Sequence, residues 1–307
     1  MENIISNKIL NSNNIKIIIG KQDKIILALT CLLSGGHILL EDIPGVGKTT
    51  IAKFLAKSLG LNFSRIQFTN DLLPSDILGT NIYDPKEQSF SFHEGPIFGE
   101  LILADELNRA SSKSQSALLE AMEEKKFTLD ATIYQLPEIF FVIGTQNPQD
   151  QIGTNPLPES QLDRFMMKIN MGHLSFDDEV DLLKNPNIKK NLESLSPQVE
   201  KQDILNATTS VSEVHISEEI LKYIVRLVNK SRDDSSYLSL GPRAALDLTN
   251  ASKAYAYLMN ENHVTPEHIQ YLFPFICGHR IVSPNSSYEL GVETCLKLLE
   301  QVKVLDV

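Results

Sequence analysis

The chain has 307 residues, 42% hydrophobic and 22% charged, with a formal net charge of −11 at pH 7. That length supports a sizeable core and two domains, while the negative balance argues against non-specific nucleic-acid binding over the whole surface. No apolar run approaches the roughly 20 residues of a membrane span. The start, Met1 to Ser6, lacks the pattern of a secretory signal. Cys31, Cys277 and Cys295 are widely spaced and fit reduced, buried thiols of a cytoplasmic protein better than a disulfide or zinc framework.

In chain order, residues 1–14 are rich in Asn and Ser and read as loosely ordered. Ile25, Ile26, Leu29, Leu32 and Leu33 follow at helical spacing, and Gly35 and Gly36 end that helix. An apolar run, Ile38 to Leu40, then breaks at Asp42-Ile43-Pro44-Gly45-Val46-Gly47-Lys48-Thr49-Thr50, and Ile51, Phe54, Leu55 and Leu59 share one face of a second helix. Strand, glycine-rich loop and helix are the context a phosphate-binding loop requires. Gly45 to Thr50, Val46 included, are therefore the nucleotide-binding stretch: backbone N–H groups and a helix N-terminus attract phosphate. Lys48 is placed to pair with β/γ oxygens and the Thr49 hydroxyl to complete a Mg²⁺ shell. The first glycine of the full G-x-x-x-x-G-K-[ST] pattern is replaced by Asp42.

A second strand reads from Ser64 to Phe68, and residues 71–95 read as a short helix carrying a hairpin insertion. Leu101 to Ala104 is an apolar strand ending in Asp105-Glu106, as a buried parallel strand reaching an active site at its carboxyl end does. The two acids divide the work: Asp105 holds Mg²⁺ and Glu106 polarises the attacking water. A helix through Ala117 to Met122, a second hairpin at residues 127–136 and a fourth strand from Ile139 to Gly144 follow. That strand leads to Asn147, near the γ-phosphate in such a sheet. A fifth strand ends the alternation near Ile169. Arg164 is either half of a local ion pair with Asp163 or an arginine finger for a neighbouring subunit's nucleotide. Beyond residue 172 the pattern is helical. There Arg243 opens a helix against the dipole, which implies an anionic partner. The expected architecture is an α/β, doubly wound parallel five-stranded core over residues 1–172 and an all-helical lid over residues 173–307. Ile18 to Gly20 and His37 are guesses for the base pocket.

The order and spacing of these pieces resemble the AAA+ ATPases, with wording close to the MoxR family. Leu39 to Thr49 is similar to its Walker A, where Asp at position 42 is a familiar variant, and Leu101 to Arg109 to its Walker B. Gly144-Thr145-Gln146-Asn147-Pro148 resembles sensor 1, Pro156 to Phe165 the arginine-finger segment, and Gly241-Pro242-Arg243-Ala244 sensor 2. The resemblance implies Mg²⁺-dependent ATP hydrolysis between subunits of a homo-hexamer, with insertions facing the pore. It also implies chaperone-like remodelling, often of a von Willebrand A domain partner. Glu106, Asn147, Arg164 and Arg243 are then the catalytic set, Arg243 serving either its own or a neighbour's site. Two rivals are a nucleotide-gated adaptor with slow turnover and, favoured by nothing beyond Lys125-Lys126 at a hairpin, a nucleic-acid remodeller.

Overall fold

The computed structural model describes residues 3–41, 45–147, 155–184, 188–233, 237–284 and 286–304. Asp42 to Pro44 of the phosphate loop and Pro148 after the fourth core strand lie outside the described residues.

The core runs from helix α1 (Gln22–Leu33) through β1 (Ile38–Glu41), α2 (Lys48–Ser58) and β2 (Phe63–Gln67). Next come α3 (Pro74–Leu78), the hairpin β3 (Gly79–Asp84) and β4 (Ser89–Glu94), then β5 (Leu101–Asp105) and α4 (Ser112–Glu124). A second hairpin, β6 (Lys126–Leu129) and β7 (Thr132–Gln135), precedes β8 (Phe141–Gln146), α5 (Glu159–Leu162) and β9 (Met167–Asn170). Helices follow to the end: α6 (Phe176–Lys184), α7 (Ile188–Glu193), α8 (Lys201–Glu213), α9 (Glu218–Lys230), α10 (Pro242–Leu258), α11 (Pro266–Ile281) and α12 (Tyr288–Gln301).

Five strands form one sheet in the order β2-β5-β8-β1-β9, each neighbouring pair parallel. Their side chains alternate between two cores, as the twofold strand period requires. Ile38, Leu40, Leu101, Leu103, Phe141 and Ile143 face α1, α2 and the C-terminal helices. Leu39, Ile102, Ala104 and Val142 face α4 and the hairpin side. Both faces are covered, so the strands are continuous apolar runs. The register brings polar residues into line at the carboxyl ends: Glu41 pairs with Gln146 and Asn170, and Gln67 with Asp105.

Both expected insertions are hairpins. The tip of the second is a two-residue turn, Asp130 (φ 48°) and Ala131 (φ 64°), the left-handed pair that suits a tight hairpin. At the base of the first, a Cβ on Gly79 or Gly95 would run into the opposite strand's backbone. The hairpins lean on each other. Phe92 packs on Tyr134 with ring centroids 4.0 Å apart, and Asn81 donates a 2.7 Å hydrogen bond to Asp130.

One expectation fails at the N-terminus. Residues 6–10 form a short helix in which Ile5 and Ile9 are fully buried, and the Asn3 amide donates to the Tyr257 carbonyl. Two isoleucines four apart are enough to seat one helical face on the C-terminal domain, whatever the Asn and Ser content around them.

Candidate active site at the carboxyl rim of the sheet

The phosphate loop leaves β1 and enters α2 through glycines in the left-handed region, Gly45 at φ 92° and Gly47 at φ 97°. A Cβ at either would meet open space. Backbone conformation, not lack of room, is what demands glycine here. With Gly47 as its N-cap, α2 starts at Lys48, so its free N–H groups and positive dipole end point into a cavity of about 260 Å³. Gly45, Gly47, Lys48, Thr49, Thr50, Asp105, Glu106 and Asn147 line it.

These side chains come from three strand ends and form a chain of contacts. Buried Lys48 donates to Asn147 Oδ1 at 3.3 Å, and the Asn147 amide lies 3.4 Å from Glu106 Oε1. Glu106 is a non-glycine residue at φ 58°, the sort of backbone strain that survives where its surroundings over-determine it. Thr145 is one such constraint: its hydroxyl accepts the Glu106 N–H at 2.9 Å and donates to Asp105 Oδ1 at 2.7 Å. One β8 hydroxyl therefore fixes both acids. Asp105 also pairs with Arg65 at 2.6 Å, and Glu106 with Gln67 at 3.0 Å and Arg109 at 3.2 Å.

Behind the rim, Glu41 and Lys168 form a buried ion pair at 2.8 Å, and the Gln146 amide donates to the same carboxylate. The three groups tie the ends of β1, β8 and β9 together beneath the loop. Sequence reasoning assigned no role to Thr145, Arg65, Gln67, Glu41 or Lys168. Strand register is the signal that could have found them, since Gln67 faces Asp105 and Glu41 faces Gln146 across neighbouring strands.

A second cavity, about 550 Å³, shares Gly45, Gly47 and Thr50 with the first. Ile17, Ile18, Ile19, Val46 and Ile51 form one apolar side, and Met171, Leu174, Leu182 and Leu183 another. A flat apolar slot beside a phosphate loop suits a nucleobase. Lys21 braces its wall by donating from Nζ to the carbonyls of residues 171–173 at 2.6, 2.8 and 3.0 Å. His37 does not belong here. It is buried between β8 and α4, where Nδ1 accepts the Val142 N–H at 3.1 Å and Nε2 lies 3.3 Å from the Met122 carbonyl. Burial lowers its pKa to about 4, so the ring is neutral.

The remaining candidates lie elsewhere. Neither Arg164 nor Arg243 lines the phosphate cavity. Arg164 pairs with Glu123 of α4 at 3.3 Å, not with its neighbour Asp163, so the local ion pair expected as one alternative does not form. Arg243, in the first turn of α10, reaches the same Glu123 at 3.2 Å and lies 3.8 Å from Asp163. Asp163 is instead held by Arg280 of α11, at 2.8 Å.

Comparison with known proteins agrees with this geometry. Residues 37–167 match the ATPase family associated with various cellular activities (AAA), and residues 232–294 match the AAA lid domain. An uncharacterised Bacillus subtilis protein, YeaC, is 47% identical over 276 residues, covering 89% of this chain and 86% of that one. Chaperone MoxR1 of Mycobacterium tuberculosis is 36% identical over 282 residues, covering 87% and 73%. A crystal structure of a candidate ATPase from Cytophaga hutchinsonii superposes with a TM-score of 0.85 at 38% identity, over 96% of this chain and 94% of that one. A parallel sheet in the order β2-β5-β8-β1-β9, a phosphate loop at its rim and a helical lid thus have full-length relatives: the chain belongs to the MoxR family of AAA ATPases.

Proposed function

We propose that this ATPase hydrolyses Mg·ATP at the interfaces of a homo-hexamer and uses the resulting lid movement to remodel or activate a partner protein. The observation that carries the reading is the contact chain Lys48–Asn147–Glu106 around one cavity at the mouth of the phosphate loop. Lys48 and the N–H groups of Gly45 to Thr50 bind the β- and γ-phosphates. Glu106 orients a water and takes its proton as the water oxygen bonds to the γ-phosphorus and the bond to ADP breaks. Asn147 holds the γ-phosphate against that water. Thr49 and Asp105 offer hard oxygen donors suited to Mg²⁺, which would draw charge from the phosphate oxygens. Among the described residues no three His, Cys, Asp or Glu side chains gather as a metal cage.

Arg164 and Arg243 stand away from their own subunit's cavity, which supports their action on a neighbour's nucleotide. The hairpins carry exposed Ile82, Tyr83, Phe90 and Ile133, an apolar surface suited to a protein partner. A von Willebrand A domain is the partner the family resemblance suggests. A cytoplasmic setting accords with three buried free thiols, and among the described residues no helix is long and apolar enough to cross a membrane.

The slow-turnover adaptor is the second reading. It is favoured by the pairing of Asp105 with Arg65 and of Glu106 with Arg109, which withholds both acids from chemistry until those contacts break. The test is a pair of variants. Glu106→Gln should bind ATP and scarcely turn it over, and Lys48→Ala should lose binding. Wild-type turnover by Glu106→Gln would overturn the assignment of Glu106, and a basal rate that an added partner leaves unchanged would favour the adaptor.

A further inference from the structure

Away from the phosphate cavity, two guanidinium groups from separate segments converge on Glu123, near the end of α4. Each carboxylate oxygen takes one guanidinium: Oε2 lies 3.3 Å from Arg164 Nε, and Oε1 lies 3.2 Å from a terminal nitrogen of Arg243. Arg164 sits between α5 and β9, whereas Arg243 comes from the lid. The lid also grips the backbone around Arg164. Buried Arg280 donates to the carbonyls of Asp163 and Phe165 at 3.0 and 3.2 Å, and pairs with the Asp163 carboxylate.

The nitrogen that Arg164 uses decides what this arrangement does. Nε is the inner nitrogen of the guanidinium and lies nearest Glu123, and among the described residues the two terminal nitrogens make no hydrogen bond. Glu123 therefore holds the group from behind and leaves its phosphate-binding edge available. It also offsets the repulsion between two neighbouring cations. At 39% exposure its ion pairs add little to stability. Their consequence is orientation, and in phosphoryl transfer a misplacement of about 1 Å can cost roughly 100-fold.

We propose that Glu123 is the positioning residue for the arginine pair each subunit offers its neighbour, aligning Arg164 of the core and Arg243 of the lid as one unit. This rests on the trans action of those arginines proposed above. Glu123 touches no nucleotide. It acts through the two guanidinium groups.

Mixed rings test it. Wild-type subunits are combined with an excess of Glu106→Gln carriers, which bind ATP but are themselves silent, so turnover reports the wild-type sites beside them. Three carriers are compared: Glu106→Gln alone, with Arg164→Ala, and with Glu123→Gln, after light scattering shows equal assembly. The Arg164→Ala carrier should depress turnover most. The Glu123→Gln carrier should depress kcat by roughly three- to tenfold with KM for ATP within about twofold, and a Glu123→Asp carrier, which keeps the charge, should recover part of that loss. If the Arg164→Ala carrier lowers turnover and the Glu123→Gln carrier leaves it at the parent level or raises it, Glu123 does not position the pair. If the Arg164→Ala carrier matches its parent, the trans reading itself falls.

Discussion

The phosphate cavity and the Glu123 cluster are built from the same kinds of side chain but assembled in different ways. At the cavity, Asp105, Glu106 and Asn147 sit at strand ends whose register is fixed by a buried parallel sheet, Lys48 opens α2, and all line one space. At the second cluster, Arg164, Arg243 and Glu123 sit on α4, a loop and a lid helix, partly exposed, with no nucleotide cavity of their own. The first region gathers its lining groups within one chain. The second pairs both of its guanidinium groups with Glu123 and lies outside the phosphate cavity, as half of the shared site proposed above would.

The largest effects should separate the two regions by their dependence on assembly. Arg164→Ala should bind ATP and assemble, yet lose about 10³-fold in kcat. Mixing it with Lys48→Ala subunits should restore some turnover, because each supplies the half the other lacks; a strictly additive result would rule against action in trans. Within the cavity, Glu106→Gln should cost between about 10² and 10⁴ in kcat with ATP affinity kept, measured by single-turnover hydrolysis.

The rim beneath the cavity is tested by stability. Lys168→Met strands the buried Glu41 carboxylate, and removing one member of a buried pair costs roughly 3 kcal/mol or more. Urea unfolding of Lys168→Met against Glu123→Gln sharpens the contrast, since the exposed cluster should change stability by less than about 1 kcal/mol. Comparable losses in both would erase the distinction between a rigid rim and a surface cluster.

The smallest effect concerns pH. His37 and His279 are buried and neutral, their pKa values depressed chiefly by burial, His37 to about 4. A depressed histidine contributes stability that is present above its unfolded value near 6.5 and lost as pH falls toward the folded value. Between pH 7 and pH 5 His37 should remove roughly 2 kcal/mol, with His279 acting in the same direction. Unfolding free energy should therefore decline across that window, and His37→Gln should be less stable at pH 7 but flatter below it. An unchanged slope in that variant would mean His37 is protonated when folded.

How much of this was legible in the sequence follows from the range of the interactions. The five strands, both hairpins and the phosphate loop announce themselves through local patterns: apolar runs bounded by glycine and proline, alternation, and a glycine-rich turn before a helix. Lys48 was proposed from the glycine-rich loop, and Asp105, Glu106 and Asn147 from their places at the ends of apolar strands; all four line one cavity. Thr145 fixing two acids across a strand pair, Lys21 bracing carbonyls 150 residues away, and Arg280 gripping the backbone around Arg164 depend on tertiary approach, for which a single sequence carries no local signal. For His37 the structure decides between two readings, base pocket and plain packing, in favour of packing. Its place at a strand start suggested the base pocket, but the sheet's pleat turns it into the core. At the N-terminus, composition suggested disorder where two well-spaced isoleucines suffice for docking.

In the proposed site, four side chains carried by the start of α2 and the ends of β5 and β8 surround one triphosphate, completed by a neighbour's arginine. A structure of Glu106→Gln assembled with Mg·ATP tests it most directly. The γ-phosphate should lie within hydrogen-bonding reach of Lys48 and Asn147, Mg²⁺ beside Thr49 and Asp105, and the adjoining subunit's Arg164 at the same phosphate. A triphosphate bound elsewhere, or one that Arg164 of its own subunit contacts, would contradict it.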